Sequence, residues 1–373
     1  MQRSCRAGGK SQSYSSVFHI GCKVISYQAN CQCLFYLLFL QKTGCTKLLI
    51  TPIPPLPHLR YNPLLDTYTM VAANRQNRPH LPGQDSCPFC PGSGKVDPDF
   101  DVISYPNDFP VLSNSPRKLD EDNEFFQAEE AYGRCEVILY SSNHQARIYD
   151  LQDEQVEKIV RIWMDKNKEF GQDPKINYVY PFENRGKEVG VTIPHPHGQL
   201  YAYGWLPLKL KTELDNAKKY RMEKGRNLFD DMNRAESVDG RRMLTETEHF
   251  SCYIPYFTDY PFGVFIVSKD KANLSAFEAS DVSELAVLIK QVVHAFDQLF
   301  DREFPYMMAI HQTPVNLPEY ADSADYYRFH IEFYTPLRDK DKIKWYASSE
   351  MGAWAAANTL SVEECAAKLR KLF

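Results

Sequence analysis

The sequence predicts an α+β fold built from two tandem units of sheet and helix. Three observations predict it. The order strand, strand, long helix, strand, strand is legible twice along the chain. Each run closes on a strand with polar side chains at alternate positions: His195 and His197 in one, His330 and Glu332 in the other, with starts 135 residues apart. Both long helices carry an apolar stripe at helical spacing. The first has Val156, Ile159, Val160 and Trp163; the second has Val282, Leu285, Leu288, Ile289 and Val292.

Composition narrows the class. A hydrophobic content of 43% with 13% aromatics allows a large core. A net charge of -5 argues against a general nucleic-acid binder and leaves room for a local basic site. The longest apolar run, 33–40, is far below the roughly 18 residues of a membrane-spanning helix. Cysteines crowd the first 45 residues and are sparse afterwards, which fits a reducing, cytoplasmic main body rather than a disulfide framework. Residues 1–57 read as an atypical N-terminal extension without clean targeting signals and are assigned no function.

The elements follow in order. The folded body begins near His58; residues 60–65 read as a strand or turn entry, and 67–72 as a short strand. Arg75 and Arg78 lie in a loop, either solvated or serving as a forked phosphate clamp. Cys87-Pro88-Phe89-Cys90-Pro91-Gly92 has the form of a zinc knuckle, with a redox pair as the alternative; its prolines and glycine favour a loop and therefore zinc. That site needs two more ligands, most simply histidines. Residues 102–105 and 136–140 read as strands, the second leading to His144, a candidate third ligand. A helix spans 150–170 with Asp150 as cap, then a strand covers 176–181 and a turn 182–186. A charged helix runs from 209 to about 227 and holds Glu213, which by itself reads as part of a solvated face. The second unit has strands at 252–257 and 263–268, a helix at 276–300, a strand at 306–310 ending on His311, and a strand at 327–334. Residues 338–346 are rich in basic side chains, and a final helix runs over 361–372.

The stretch at the centre is His195-Pro196-His197-Gly198-Gln199. On an extended backbone His195, His197 and Gln199 share a face. Pro194 and Pro196 cannot donate to a ladder, so the segment is expected at a strand end or on an edge strand, not in a central one. Gly198 leaves room for a close approach. Two imidazoles and an amide on one face suit a phosphate, and an imidazole with one nitrogen held as a donor is a nucleophile toward phosphorus. A surface loop that happens to hold two histidines is the bland alternative.

With these motifs in place, the chain resembles the galactose-1-phosphate uridylyltransferase family of the histidine-triad superfamily over about 58–373. The resemblance rests on Arg60-Tyr61-Asn62-Pro63-Leu64, Arg75-x-x-Arg78-Pro79, Cys87-x-x-Cys90, Asn107-Asp108-Phe109-Pro110, Phe182-Glu183-Asn184-x-Gly186, His195-Pro196-His197-x-Gln199, Glu248-His249 and His311, all in family order. It implies two tandem histidine-triad-like units of mostly antiparallel sheet with flanking helices. The N-terminal catalytic unit would cover 58–210 and the C-terminal unit 211–373.

The resemblance also implies a chemistry. His197 would attack the α-phosphorus of UDP-glucose, release glucose 1-phosphate and pass UMP to galactose 1-phosphate, with Gln199 bonding a phosphoryl oxygen. Cys87, Cys90, His144 and His195 would hold zinc. Val96, Asn107 and Asp108 would contact uracil and ribose. Asn184, Gly190, Val191 and Thr192 would lie along the diphosphate with Arg75 and Arg78. Lys344, Trp345, Tyr346, Ala347, Ser349 and Glu350 match a sugar-side segment shared across a homodimer.

Two departures from the family pattern are visible. A second metal, held in the family by one glutamate and three histidines, maps to Glu213, His311, His330 and Glu332, the last replacing a histidine. That set suits iron, zinc or manganese; equally, Glu332 could pair with Arg328 or Lys344 and no metal bind. At the C-terminal end Ser349-Glu350 and Ala356 replace a Tyr-Glu pair and a glutamine. The alternative enzyme is a related nucleotidyltransferase or phosphorylase using an adenine nucleotide sugar or dinucleotide through the same His197.

Overall fold

The computed structural model describes residues 57–77, 86–97, 99–116 and 123–373. The expected N-terminal extension, save Pro57, and Arg78 lie outside them.

The chain lays down β1 (His58–Asn62), β2 (Thr67–Val71), β3 (Ile103–Pro106), β4 (Ala128–Glu130) and β5 (Gly133–Leu139), then helix α1 (Asp153–Gly171). Next come β6 (Tyr178–Arg185), β7 (His197–Tyr203), α2 (Leu208–Lys224) and α3 (Leu228–Asp239). The second half adds β8 (Met243–Glu246), β9 (Phe250–Tyr253), β10 (Phe265–Ser268), α4 (Ala279–Leu299), β11 (Tyr306–His311) and β12 (His330–Tyr334). It closes with β13 (Leu337–Asp339), β14 (Lys342–Ile343), α5 (Ser348–Gly352) and α6 (Val362–Arg370).

Nine strands form one sheet in the order β3-β5-β7-β6-β11-β12-β10-β9-β8, and every pairing in it is antiparallel. The fold is α+β. The two halves use the same local order: β7 lies between β5 and β6, and β12 lies between β10 and β11. They meet where β6 pairs with β11, Arg185 opposite Tyr306 and Phe182 opposite Ala309. One row of paired residues crosses this seam: Gln199, Phe182, Ala309 and Glu332.

Both predicted stripes are buried. Val156, Ile159, Val160 and Trp163 of α1 and Val282, Leu285, Leu288, Ile289 and Val292 of α4 are at most 1% exposed. They join Leu200 and Ala202 of β7, Met308 and Ile310 of β11, and Ile331 and Phe333 of β12 in one apolar cluster. Period-two alternation therefore sends His197, Gln199, Tyr201, His330 and Glu332 to the other face. That face is layered by α2, whose Leu214 and Ala217 pack with Tyr253, Val267 and Tyr327.

Several expectations are corrected. The His-Pro-His segment lies at a strand end, one of the two placements expected, but the strand it opens is central and not an edge, with β5 and β6 on either side. The ladder starts at His197, after both prolines, so no donor is missing from it. His195 precedes the strand in a bend. Residues 182–185, expected as a turn, extend β6, because β11 offers them a partner from the other half. Asp150 does not cap α1. It accepts from the backbone N–H and side chain of Arg147 in the turn before, and Gln152 is the N-cap. The charged helix ends on Gly225 at positive φ, and Asn227 caps the separate α3 through Phe229 N–H and Asp230 N–H.

Candidate active site

The knuckle at 87–92 folds back on the start of β7. Cys87, Cys90, His144 and His195 are all buried, with ligand atoms within 4.8 Å of one another. Cys90 Sγ lies 3.2 Å from His144 Nδ1 and 3.6 Å from His195 Nδ1. His195 donates from Nε2 to the Ser141 carbonyl (2.8 Å), which leaves Nδ1 as the acceptor facing the thiols. Burial pushes the His195 imidazole down to about 4 and lowers His144 as well. Both are thus neutral at physiological pH, as metal ligation requires. Two sulfurs and two imidazole nitrogens in one buried cluster match the chemistry of tetrahedral zinc.

Two residues on, His197 donates from Nδ1 to the His195 carbonyl oxygen (2.7 Å). A carbonyl only accepts, so the proton is on Nδ1 and Nε2 is the basic nitrogen. The residue that links His197 to the cysteine cluster is therefore His195, through its ring on one side and its carbonyl on the other.

His197 borders two cavities. One, of about 230 Å³, is lined by Arg75, Asn184, Gly190, Val191, Thr192, Gln199 and their aromatic neighbours Phe182 and Tyr201. Arg75 Nε is buried there with no partner among the described residues, the state of a donor built for an anion. Tyr201 donates to Gln199 Oε1 (3.3 Å), so the amide of Gln199 offers its NH2 as the donor. The other cavity, of about 350 Å³, runs behind the 191–196 segment toward Glu183, Arg302 and Tyr306.

Gly198 does admit a close neighbour, but the neighbour is protein. Tyr140 presses its hydroxyl against Gly198 and donates to Glu183 Oε2 (3.0 Å), while Tyr306 donates to Glu183 Oε1 (2.6 Å). Burial pushes the Glu183 carboxyl up, and the two hydroxyls only partly offset that. Tyr140 and Tyr306 carry no motif, and sequence reasoning missed them.

The residues expected on the nucleoside side sit beside the knuckle. Val96 packs with Cys87, Phe89 and Phe100. Asn107 accepts from Phe109 N–H (2.9 Å), and Asp108 is held by Tyr105 (3.0 Å) and by Lys95 (2.6 Å), another residue the sequence did not single out. Lys344, Trp345, Tyr346, Ala347, Ser349 and Glu350 line neither cavity beside His197. Lys344 instead donates to the Asp259 carbonyl (2.5 Å), and Trp345 is 72% exposed.

On the same sheet face, Glu213, His311, His330 and Glu332 also converge within 4.8 Å. His311 Nδ1 is 2.8 Å from Glu213 Oε2, and His330 Nε2 is 3.4 Å from Glu332 Oε1. Burial opposes the Glu332 charge, but His311, His330 and Lys209 outweigh it and hold that carboxyl well below its usual range. The expected pairings of Glu332 are corrected: Arg328 pairs with Asp230 (2.9 Å), Lys344 turns to Asp259, and the cation on Glu332 is Lys209 (2.5 Å).

A family model described as galactose-1-phosphate uridyl transferase, N-terminal domain, matches residues 50–207, and its C-terminal counterpart matches 213–372. The chain is 38% identical over 315 residues to the galactose-1-phosphate uridylyltransferase of Thermotoga maritima, covering 84% of this chain and 98% of that one. It superposes on a solved uridylyltransferase with a TM-score of 0.75 at 26% identity, covering 84% of this chain and 98% of the other. An Arabidopsis thaliana ADP-glucose phosphorylase shares the fold (TM-score 0.66, 22% identity, 84% and 99% covered). Among the described residues no helix is long and apolar enough to cross a membrane.

Proposed function

The chain belongs to the galactose-1-phosphate uridylyltransferase family, and on that premise we propose that it moves UMP from UDP-glucose to galactose 1-phosphate through a uridylyl group on His197. The observation that carries the reading is the bond from His197 Nδ1 to the His195 carbonyl. With Nδ1 committed as donor, Nε2 bonds to the α-phosphorus as the bond to the bridging oxygen breaks. Glucose 1-phosphate leaves with the electron pair. The ring, now positively charged, is stabilised through Nδ1–H by the same carbonyl. A phosphate oxygen of galactose 1-phosphate then attacks phosphorus, the N–P bond breaks, and UDP-galactose leaves with the imidazole restored. Gln199 and Arg75 donate to phosphoryl oxygens as charge builds on them. Asn184 and the 190–192 segment line the diphosphate path, and Val96, Asn107 and Asp108 take the nucleoside.

Zinc at Cys87, Cys90, His144 and His195 is a closed structural site in this reading, with all four positions filled by protein. Its work is to pin the backbone that bonds His197. Glu213, His311, His330 and Glu332 take a second divalent ion. What supports it is the donor set: His330 commits Nδ1 to the Arg328 carbonyl (2.9 Å) and turns Nε2 inward, and two imidazoles and two carboxylates place their ligand atoms within 4.8 Å of one another. The 58–210 and 211–373 halves act as two units in a cytoplasmic homodimer, whose partner supplies 344–350 to the sugar.

Intact-protein mass after mixing with UDP-glucose alone tests the mechanism. One added uridylyl group is expected, lost on adding galactose 1-phosphate and absent in His197→Ala. No adduct with UDP-glucose but one with ADP-glucose would replace this reading with an adenine-nucleotide phosphorylase.

A further inference from the structure

Lys209 stands at the carboxylate cluster where a divalent ion is expected to be repelled by it. Its stem is open to solvent (the side chain is 56% exposed), and its ammonium turns inward. Which oxygens it takes decides what it does. Lys209 Nζ lies 2.5 Å from Glu332 Oε2 and 3.5 Å from Glu213 Oε1. The other oxygen of each carboxylate faces the imidazoles: Glu332 Oε1 toward His330 Nε2 (3.4 Å) and His311 Nδ1 (3.9 Å), Glu213 Oε2 toward His311 Nδ1 (2.8 Å) and His330 Nε2 (4.0 Å). The lysine therefore clamps the two outer oxygens and leaves the inner pair in place. Tyr334 reinforces the arrangement by donating to Glu332 Oε2 and accepting from Lys209 (2.6 Å), and Tyr327 donates to Glu213 Oε2 (2.9 Å).

We propose that Lys209 is the charge-setting residue of this centre. It holds Glu213 and Glu332 as one-oxygen ligands and cuts the charge of the donor set from two negatives to one. The inference rests on the second-metal reading above. It is specific to this chain's own residues: a carboxylate with an ammonium on its far oxygen is a neutral ligand unit, as an imidazole is. Without the lysine, the buried Glu332 and the half-buried Glu213 would bind divalent cations more tightly and lose stability when empty.

The test is Mn2+ binding to the full-length, zinc-loaded protein, followed by the electron paramagnetic resonance of free Mn2+. Manganese prefers oxygen-rich sets and leaves the thiolate site to zinc. Affinity should follow net charge. Lys209→Met should tighten Mn2+ about tenfold or more, Glu332→Gln should weaken it by a similar factor, and the double variant should return to within about threefold of wild type, since at this range one unit charge is worth at least that much. Lys209→Arg, which keeps the charge, should bind like wild type. If Lys209→Met does not fold, Lys209→Gln takes its place. Loss of binding in Glu213→Gln locates the ion. Unchanged or weaker binding in Lys209→Met, or a double variant that stays more than about tenfold from wild type, overturns the role of Lys209. Wild type that binds no Mn2+ overturns the second-metal reading with it.

Discussion

Gly198→Ala is the sharpest single perturbation of the strand that carries His197. A Cβ at this position would run into the Tyr140 hydroxyl, 3.0 Å from its Cζ and 3.3 Å from the Phe182 carbonyl oxygen. The backbone at Gly198 is ordinary strand, so the conflict is one of space. Tyr140 is 1% exposed and its hydroxyl is bound to Glu183 (3.0 Å), so it has nowhere to swing. To reach normal contact the ring must withdraw by about an ångström. Overpacking of this kind costs about 1–3 kcal/mol, and losing the Tyr140 hydrogen bond to a buried carboxyl adds about 1–2 kcal/mol. Gly198→Ala should therefore destabilise by about 2–5 kcal/mol. Tyr140→Phe removes the hydroxyl. It should cost about 1–2 kcal/mol alone, yet recover about 1 kcal/mol or more in the Gly198→Ala background. Chemical denaturation of the two single variants and the double variant measures the coupling. Strict additivity, or a Gly198→Ala protein as stable as wild type, would refute the claim that Tyr140 backs the nucleophile strand.

Three further outcomes are expected. Cys87→Ser should lower the melting temperature and release zinc, read by calorimetry and metal analysis, because the knuckle residues pack through Val96 and Phe100 onto β5; unchanged zinc content would reject the site. Gln199→Ala should lower kcat about a hundredfold with a smaller change in KM, the pattern of a donor that matters most in the transition state; a pure KM effect would demote it to substrate binding. Glu183→Gln should change how stability depends on pH. The raised Glu183 carboxyl holds its proton in the folded state beyond the ordinary glutamate range, so its contribution is full at low pH and is lost as pH rises through the folded value. Glutamine cannot ionise, so the variant should gain on wild type as pH rises through that window, and a constant difference across a pH series would contradict the shift.

Local chemistry was legible in the sequence and long-range pairing was not. The stripes of α1 and α4 were readable because their period reports a buried face directly, and those residues are the buried ones. The Cys87/Cys90 spacing and the His-Pro-His-x-Gln alternation are short-range patterns of the same kind. The 182–185 segment misled because Glu-Asn before glycine reads as a turn, while its conformation is set by β11, more than a hundred residues away. The prolines ahead of His197 read as a strand end or an edge strand; the strand end is what forms, and nothing local says that the strand beginning one residue after them is central. Lys209 was invisible as a partner of Glu332 for the same reason: it is a commonplace lysine on a charged helix until β12 arrives beside it.

The row Gln199, Phe182, Ala309 and Glu332 has a metric consequence. Adjacent strands lie about 4.8 Å apart, so three steps set the backbone of the phosphate-side glutamine about 14 Å from that of the carboxylate cluster. That separation is several times the reach of a coordination or hydrogen bond, so an ion in the cluster does not touch the travelling phosphorus. The ladder is also a ruler. A paramagnetic ion seated at Glu332 would relax the 31P signal of a group carried on His197 by an amount fixed by strand spacing.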